Sequence, residues 1–555
     1  MSENLSYLSG RKGIETNLFE TLTNAAEANG SIEDPVLKKA AQEFLMGESV
    51  TLGASSFYDF MNKENKGKKA FVCSGSTCMV AGTQEKVKKQ LLTEYSEEEI
   101  GHMCCLGRCH ENSAFNVGAK NYSGDSIADL KGIVSKSSFY SEDTYSVCSN
   151  TDKPILTGEA LKIDDCAEIV KKALALSAKE LLDQFKVSKL RGRGGAGFPI
   201  GLKLESCFNV VGDQKYIVCN ADEGDPGAYS DRYLLEKQPM LVLLGMMAAG
   251  YVVGADTGIL YIRAEYPESI EVINQKIEEL TKAQITGKNI FSSDFNFKFK
   301  VIKGAGAYIC GEETALLSSI EGQRPEVRIR PPYPTVEGLF NKPTVVNNVE
   351  TFASLPWIIK NSGEAFSKIG TEKSTGTKLV SLDSFFNKPG IVEVTMGTPL
   401  KELFEVIGQG YKEEIKAFHI GGPLGGLVPM KKINDLSIDY ESFSEQGFLL
   451  GHASVLSVPV TYSLIEYLKH LFAFTAAESC GKCFPCRLGS TRGEELLEGA
   501  IKKGEKIDRE LLDDLLETLE VGSLCALGGG LPLSIKNALE YFQDELNPYF
   551  SSAEV

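Results

Sequence analysis

Eight of the fourteen cysteines fall into two groups of four. One is the run Cys480-Gly-Lys-Cys483-Phe-Pro-Cys486 with Cys525 returning downstream; the other pairs Cys73 and Cys78 with Cys105 and Cys109. Four thiolates grouped this way select zinc or an iron-sulfur cluster. Zinc ribbons usually use two CxxC pairs, whereas CxxCxxC plus a distant fourth cysteine is a common iron-sulfur arrangement, so the C-terminal set points to a [4Fe-4S] cluster. Cys104 is an extra thiol beside Cys105. Cys148, Cys166, Cys207, Cys219 and Cys310 stand singly and are expected to be buried apolar thiols, and His110 to be a surface residue. If both groups hold clusters, the stretch between them should hold something that delivers or accepts electrons.

Four segments of that stretch could do so. Arg191 to Phe198 places glycines at 192, 194 and 197, which let backbone N–H groups approach a flat or anionic ligand while Arg191, Arg193 and Lys203 neutralise phosphate. No strand precedes it, so the conventional dinucleotide fingerprint is missing and a plain glycine turn fits equally well. Cys219 to Gly227 follows a strand and offers Asn220, Asp222, Glu223 and Asp225 to a ribityl chain, ribose or amide, or else forms a solvated acidic turn. Gly304 to Thr314 combines small residues with Tyr308 for stacking, and Glu312 and Glu313 stand in a helix's first turn. Val346 to Thr351 presents Asn347 and Asn348, as a ligand contact or a helix cap.

The elements that must position these segments alternate. Between about residues 165 and 302, helices at Cys166–Gln184, Leu234–Val253 and Ser269–Thr281 separate strands at Tyr216–Cys219, Ile259–Arg263 and Phe297–Ile302, which implies a parallel sheet covered by helices. Before it, helix-biased residues and a small α/β unit end near residue 140, and Ser135 to Lys153 reads as a polar linker. After it, residues 377 to 460 read as a β-rich or β-grasp module around a helix at Leu400–Ile407, and helices return from Ser463. The net charge of −17 disfavours nucleic acid and anionic membrane surfaces. Met1 to Arg11 is polar, and the longest apolar run, Met240 to Ala255, is shorter than the ~20 residues a spanning helix needs. A soluble, cytoplasmic protein with no membrane span is expected.

The runs RGRGGAGFP, NADE, GAGAYICGEETAL, PPYP…KPTVVNNVET and SCGKCFPCR…LCALGGG, in this order, closely resemble the NADH-binding flavoprotein subunit of respiratory complex I. The diaphorase subunits of NAD-linked hydrogenases and formate dehydrogenases share the likeness, which covers roughly residues 160 to 545. The N-terminal part resembles the thioredoxin-like [2Fe-2S] subunit that accompanies this flavoprotein, so the chain looks like a fusion of the two. The resemblance implies four units: 1–145, a helical leader plus thioredoxin-like [2Fe-2S] domain; 146–365, a Rossmann-like FMN- and NADH-binding domain; 366–460, a β-grasp domain; and 461–555, a helical bundle carrying the [4Fe-4S] cluster.

Carried over position by position, it makes Gly192, Gly194, Lys203, Asn220, Asp222, Glu223, Tyr308, Gly311, Glu312, Val346, Asn347, Asn348 and Thr351 the FMN pocket. Phe198, Tyr333, Glu313 and Arg330 would face NADH, with Glu223 and Glu313 positioning nicotinamide and ribose. Asp225, Tyr333, Arg330 and Ser206 stand where the complex I pattern has Glu, Phe, Lys and an aromatic. The implied activity is FMN-dependent NADH oxidation, with electrons leaving singly for iron-sulfur and catalytic subunits of a larger complex. An electron-bifurcating assembly that couples NAD to ferredoxin is the alternative, and a relay scaffold without nucleotide turnover a third reading.

Overall fold

The computed structural model describes residues 18–29, 32–118, 120–136 and 143–551. Met1 to Arg11 and part of the expected linker lie outside these. The first sheet holds β1 (Ala70–Cys73), β2 (Ile100–Met103), β3 (Phe115–Val117) and β4 (Lys120–Tyr122) in the order β2-β1-β3-β4. β1 and β2 are parallel and the other pairs antiparallel. Its core is Val72, Val87, Leu91, Phe115 and Leu130. The leader helices Leu18–Asn29 and Asp34–Glu43 pack instead on the central domain, in one core with Tyr58, Tyr261 and Leu316. Tyr58 and Tyr261 both hydrogen-bond the Ser319 hydroxyl there, at 2.8 and 2.9 Å.

The stretch read as a linker contains strand β5 (Ser146–Ser149). Beyond it, β6 (Tyr216–Ala221), β7 (Thr257–Ile262), β8 (Lys298–Lys303) and β9 (Thr344–Asn348) form a parallel sheet in the order β8-β7-β6-β9. Strands buried on both faces read as continuous apolar runs, as Thr257–Ile262 does. Helix Pro239–Val253 is apolar all round and buried, not membrane-spanning, and no described helix is long and apolar enough to cross a membrane. It meets helix Val349–Asn361 at Gly245, where a Cβ would lie 1.9 Å from the Phe352 carbonyl oxygen.

Two expected helices are each split. Cys166–Gln184 is Ile163–Leu174 and Ala178–Val187, because Ser177 caps the second and Glu180 closes the capping box. Leu234–Val253 is broken where Pro239 starts a new helix after Ser230–Lys237.

The third sheet takes β10 (Thr377–Leu382), β11 (Gly390–Thr395), β12 (Ile415–Ile420), β13 (Gly426–Pro429) and β14 (Ser454–Pro459) in the order β13-β12-β14-β10-β11-β5. β5 is thus its edge strand, parallel to β11. The Glu393 carboxylate holds the following residues there, accepting from Ile155 N and Leu156 N at 2.8 and 3.1 Å and from Thr157 N at 2.8 Å. Helices Leu464–Glu478, Ser490–Lys503, Arg509–Gly522 and Ala526–Tyr541 pack on one another behind this sheet.

Candidate functional site

Strand order reverses between β6 and β9, and ligands of open α/β sheets bind beyond the carboxyl ends of the strands at such a point. Asn220 and Asn348 are register partners on those two strands. Asn220 Nδ2 donates to the Gly311 carbonyl at 2.7 Å and its Oδ1 accepts from Asp222 N at 3.2 Å, joining the turn after β6 to the 304–314 segment. Glu312 caps helix Glu313–Ile320, accepting from Thr314 N and Ala315 N at 2.8 and 2.9 Å.

The glycine-rich segment closes over this crevice as a loop before helix Ile200–Asn209. Gly195 and Gly197 have φ of 126° and 60°, which favours glycine. Gly194 abuts Asn348, where an added Cβ would lie 2.8 Å from the asparagine Cβ. Arg193 N donates to Thr351 Oγ1 at 2.9 Å. Lys203 Nζ reaches the Val346 carbonyl at 2.7 Å and Glu313 Oε2 at 3.0 Å, and Arg330 holds the other Glu313 oxygen at 2.9 Å. Burial pushes the Glu313 pKa up, but these two cations outweigh it and hold it below the usual carboxylate value. Tyr440, from the third sheet's region, donates to the Gly192 carbonyl at 2.8 Å, while its ring carries the Arg191 guanidinium.

Gly192, Gly194, Lys203, Asn220, Asp222, Gly311, Glu312, Glu313, Arg330, Val346, Asn347, Asn348 and Thr351 are therefore linked by direct contact or strand register. Phe198 and Tyr333 are more than half exposed on loops. Tyr308 turns to Asp225, its hydroxyl donating to Oδ1 at 2.6 Å. Glu223 is buried and points into helix Ser230–Lys237: it accepts from Asp231 N at 2.9 Å, Arg232 N at 3.1 Å, Ser230 Oγ at 3.3 Å and Tyr266 OH at 3.1 Å. Asp231 and His452, which complete that cluster, carry no sequence signal of a site.

The N-terminal cysteines end β1 (Cys73), enter helix Ser76–Val80 (Cys78) and follow β2 (Cys105, Cys109), and all four are buried. Cys105 and Cys109 Sγ atoms are 3.5 Å apart. Cys109 Sγ accepts the Gly227 amide at 3.3 Å, so this set abuts the turn that carries Asp222 and Glu223. Arg263 joins the same places, donating to the Glu223 carbonyl and, at 2.7 Å, to that of Cys104. His110 is buried rather than at the surface, with Nε2 2.8 Å from Asp143, because it fills the seam beside Tyr145 and Tyr229. Cys148 is half-buried on edge strand β5, not a core thiol.

The C-terminal set wraps the other side. Cys480, Cys486, Ile309 and Ala315 share an apolar cluster, packed by Tyr308, Cys483 and Cys525. All four of its thiols are free, and burial pushes Cys486 up to about 11 and Cys525 to about 12. Releasing those protons requires a bound cation, as iron or another metal would supply.

Residues 185–357 match the Nuo51 FMN-binding domain, 466–549 the NADH-ubiquinone oxidoreductase-F iron-sulfur binding region, and 6–138 the thioredoxin-like [2Fe-2S] ferredoxin. The chain is 42% identical over 377 residues to the NADP-reducing hydrogenase subunit HndC of Solidesulfovibrio fructosivorans, which spans 67% of this chain and 76% of that one. It is 31% identical over 560 residues to the NAD-reducing hydrogenase HoxS subunit alpha of Cupriavidus necator, covering 95% and 91% of the two chains. With the F chain of the Escherichia coli NADH-quinone oxidoreductase it shares 37% over 389 residues, 68% of this chain and 86% of that one. A solved chain from the NAD+-reducing [NiFe]-hydrogenase in the air-oxidised state superposes with a TM-score of 0.83 at 25% identity, over 97% of this chain and 94% of that one.

The crevice fits a flavin nucleotide on its own evidence: Asp222 Oδ2 and Asn347 Nδ2 are buried there with no protein partner, an acceptor and a donor left for a ligand. Eight free thiols in two groups fit two clusters. The chain belongs to the flavoprotein family that unites the NADH-binding chain of NADH-quinone oxidoreductases with the diaphorase subunits of NAD-reducing hydrogenases, and it carries a thioredoxin-like [2Fe-2S] domain as well.

Proposed function

We propose that this chain is the NADH dehydrogenase (diaphorase) module of a soluble multi-subunit oxidoreductase, moving hydride between NAD(H) and FMN and single electrons through iron-sulfur clusters to partner chains. The observation that carries the reading is convergence: one cysteine set touches the turn after β6, the other the segment before helix Glu313–Ile320, and both segments border the β6–β9 crevice. FMN, when bound, supplies the exchange between a two-electron hydride and single electrons.

The residues supply the rest. Lys203 and the amides of the 192–197 loop neutralise and cradle phosphate. Asn220, Asp222, Asn347 and Asn348 hydrogen-bond the ribityl chain and ring, and Gly311, Glu312, Val346 and Thr351 shape the wall. Glu313, held ionised by Lys203 and Arg330, orients nucleotide ribose. Phe198 and Tyr333 are exposed, as stacking surfaces for a nucleotide arriving from solvent must be. The buried carboxylate of Glu223 serves here by shaping the turn. Cys73, Cys78, Cys105 and Cys109 would hold a [2Fe-2S] cluster, and Cys480, Cys483, Cys486 and Cys525 a [4Fe-4S] cluster.

The order β11-β10-β14-β12-β13 with a helix after β11 supports a β-grasp unit over 366–460, to which 146–157 adds an edge strand. The packed helices after Leu464 support a bundle over 461–555. Iron-sulfur and catalytic subunits in the cytoplasm would take the electrons. The test is anaerobic addition of NADH to the purified chain: bound flavin should bleach within the mixing time, and failure to bleach sinks the reading. Repeating it with ferredoxin, alone and with the co-purified complex, separates this module from the bifurcating alternative.

A further inference from the structure

His452 lies on the loop before β14 and enters the central domain between two carboxylates. Its Nε2 is 3.5 Å from Asp231 Oδ1 and 3.8 Å from Glu223 Oε1, and all three side chains are buried. Neither imidazole nitrogen has a hydrogen-bond partner, and Asp231 Oδ1 has none either. A metal among the three is disfavoured because the two Glu223 oxygens already take four donors, leaving no lone pair free for coordination.

What the arrangement does provide is countercharge. Two buried carboxylates this close cannot both ionise unaided, because burial and mutual repulsion favour a proton on one of them. Burial and then Asp231 push the Glu223 carboxyl up to about 8, and His452 is the largest influence that opposes them. Burial pushes the His452 imidazole down, but Asp231 and then Glu223 more than reverse this and hold it at about 9. The other charged groups that face it are accounted for. Asp225 is hydrogen-bonded by Tyr308, and Lys378 on β10 is tied to the Glu350 carboxylate of helix Val349–Asn361. Asp231 carries the effect to the crevice, since its Oδ2 accepts from Asn348 Nδ2 at 2.6 Å. Glu223 carries it to the turn that bears Asp222.

We propose that His452 is a positioning residue for the flavin: as an imidazolium between Asp231 and Glu223 it balances the carboxylate charge there and so fixes the charge and the geometry behind the flavin-binding turn. This rests on the reading of the crevice as an FMN site. The experiment is anaerobic equilibration of the full chain, FMN bound, at one NADH:NAD+ ratio between pH 6 and 9.5. The reduced-to-oxidised flavin ratio is read by absorbance in wild type, His452→Gln, His452→Lys and the double variant His452→Gln/Asp231→Asn.

Above pH 9 the imidazolium is lost from wild type as well, so His452→Gln should approach it there. At pH 6 to 7 Glu223 keeps its proton in both, the variant cluster is one charge more negative, and the ratio should fall about tenfold below wild type, ~30 mV for a two-electron couple. His452→Lys and the double variant should restore it, each removing the extra negative charge in a different way. If His452→Gln tracks wild type at every pH, or its shift is the same at every pH and the lysine does not rescue it, the inference is overturned. Should His452→Gln fail to hold flavin, the wild-type curve decides alone: it should bend between about pH 8 and 9, and a straight line through that range overturns the proposal. A wild type that holds FMN that NADH does not bleach breaks the parent reading instead, before any variant is compared.

Discussion

The two cysteine sets have equal ligand counts and opposite surroundings. The N-terminal four are all buried, Cys73 and Cys78 within their own unit and Cys105 and Cys109 against the central domain at Gly227 and Tyr266, whereas Cys483 and Cys525 are only partly buried beside the exposed Phe484, Leu488, Val521 and Leu524. The first set faces inward and the second outward. If the C-terminal set holds the proposed cluster, exposed apolar residues beside it would suit a docking partner, because electron transfer needs short distances and apolar contact excludes water. The contrast supports the proposed path, in which the C-terminal set would be the exit to another chain and the N-terminal set would meet the turn after β6 first.

The largest effects should separate the two sets directly. Cys483→Ser should leave bleaching of flavin by NADH intact and slow onward transfer to the partner complex by more than the ~100-fold that loss of an outer-shell partner can cost. Cys109→Ser should abolish the [2Fe-2S] signal in electron paramagnetic resonance yet slow the same transfer far less. Stopped-flow traces of both variants decide it, and equal slowing would erase the distinction. Phe484→Glu comes next. A charge at the centre of an apolar contact should weaken partner binding by about 30-fold, ~2 kcal/mol, without changing either cluster's spectrum. Titration calorimetry that finds unchanged affinity would move the exit elsewhere.

Smaller, but different in kind, is the pH dependence of stability, which should come from the inward side. Burial pushes Asp59 up to about 6, Asp383 and Glu478 to about 7 and Glu223 to about 8, and His452 is held at about 9. All five bind protons more tightly folded than unfolded, so stability is lost as pH rises from the ordinary carboxylate range, the last of it through about 9. His419 and His470, lowered to about 4 by burial, act the other way, and only below the ordinary histidine pKa. The four carboxyls outnumber these two histidines, so the melting temperature should fall by several degrees between pH ~5 and pH ~9. A flat profile above neutrality would mean that the buried charges are not where the geometry puts them.

How much of this was legible depended on whether the signal was local. Cys480-x-x-Cys483-x-x-Cys486 and the glycine and asparagine runs carry their chemistry in a few consecutive residues, and the parallel sheet announced itself through runs such as Ile259–Arg263. The capping box Ser177-Ala-Lys-Glu180 was present but lay inside an unbroken helical pattern, so two helices read as one. Strand β5 was hidden because an edge strand needs only backbone pairing, and its Ser-Val-Cys-Ser carries no apolar alternation. The grouping of Glu223, Asp231 and His452 was invisible for a stronger reason. It joins the turn after β6, a helix start and a loop of another sheet, and only the packing of those units brings the charges together. His110 likewise becomes a core residue only through Asp143 and two tyrosines distant in sequence or domain.

The smallest expected effect probes the seam between the inward cluster and the turn. Tyr266 donates its hydroxyl to Glu223 and lies against Gly107, where an added Cβ would sit 2.7 Å from that hydroxyl oxygen. Tyr266→Phe keeps the ring and removes one of four donors, so the carboxylate remains partnered and the loss should be ~1 kcal/mol, a shift of a few degrees in melting temperature. Onward transfer through Cys483 should be unchanged, because the ring and its contact with Gly107 stay in place. If this variant slowed transfer as much as Cys483→Ser, the inward cluster would lie on the main electron path, and the division between inward and outward sets would be one of burial alone.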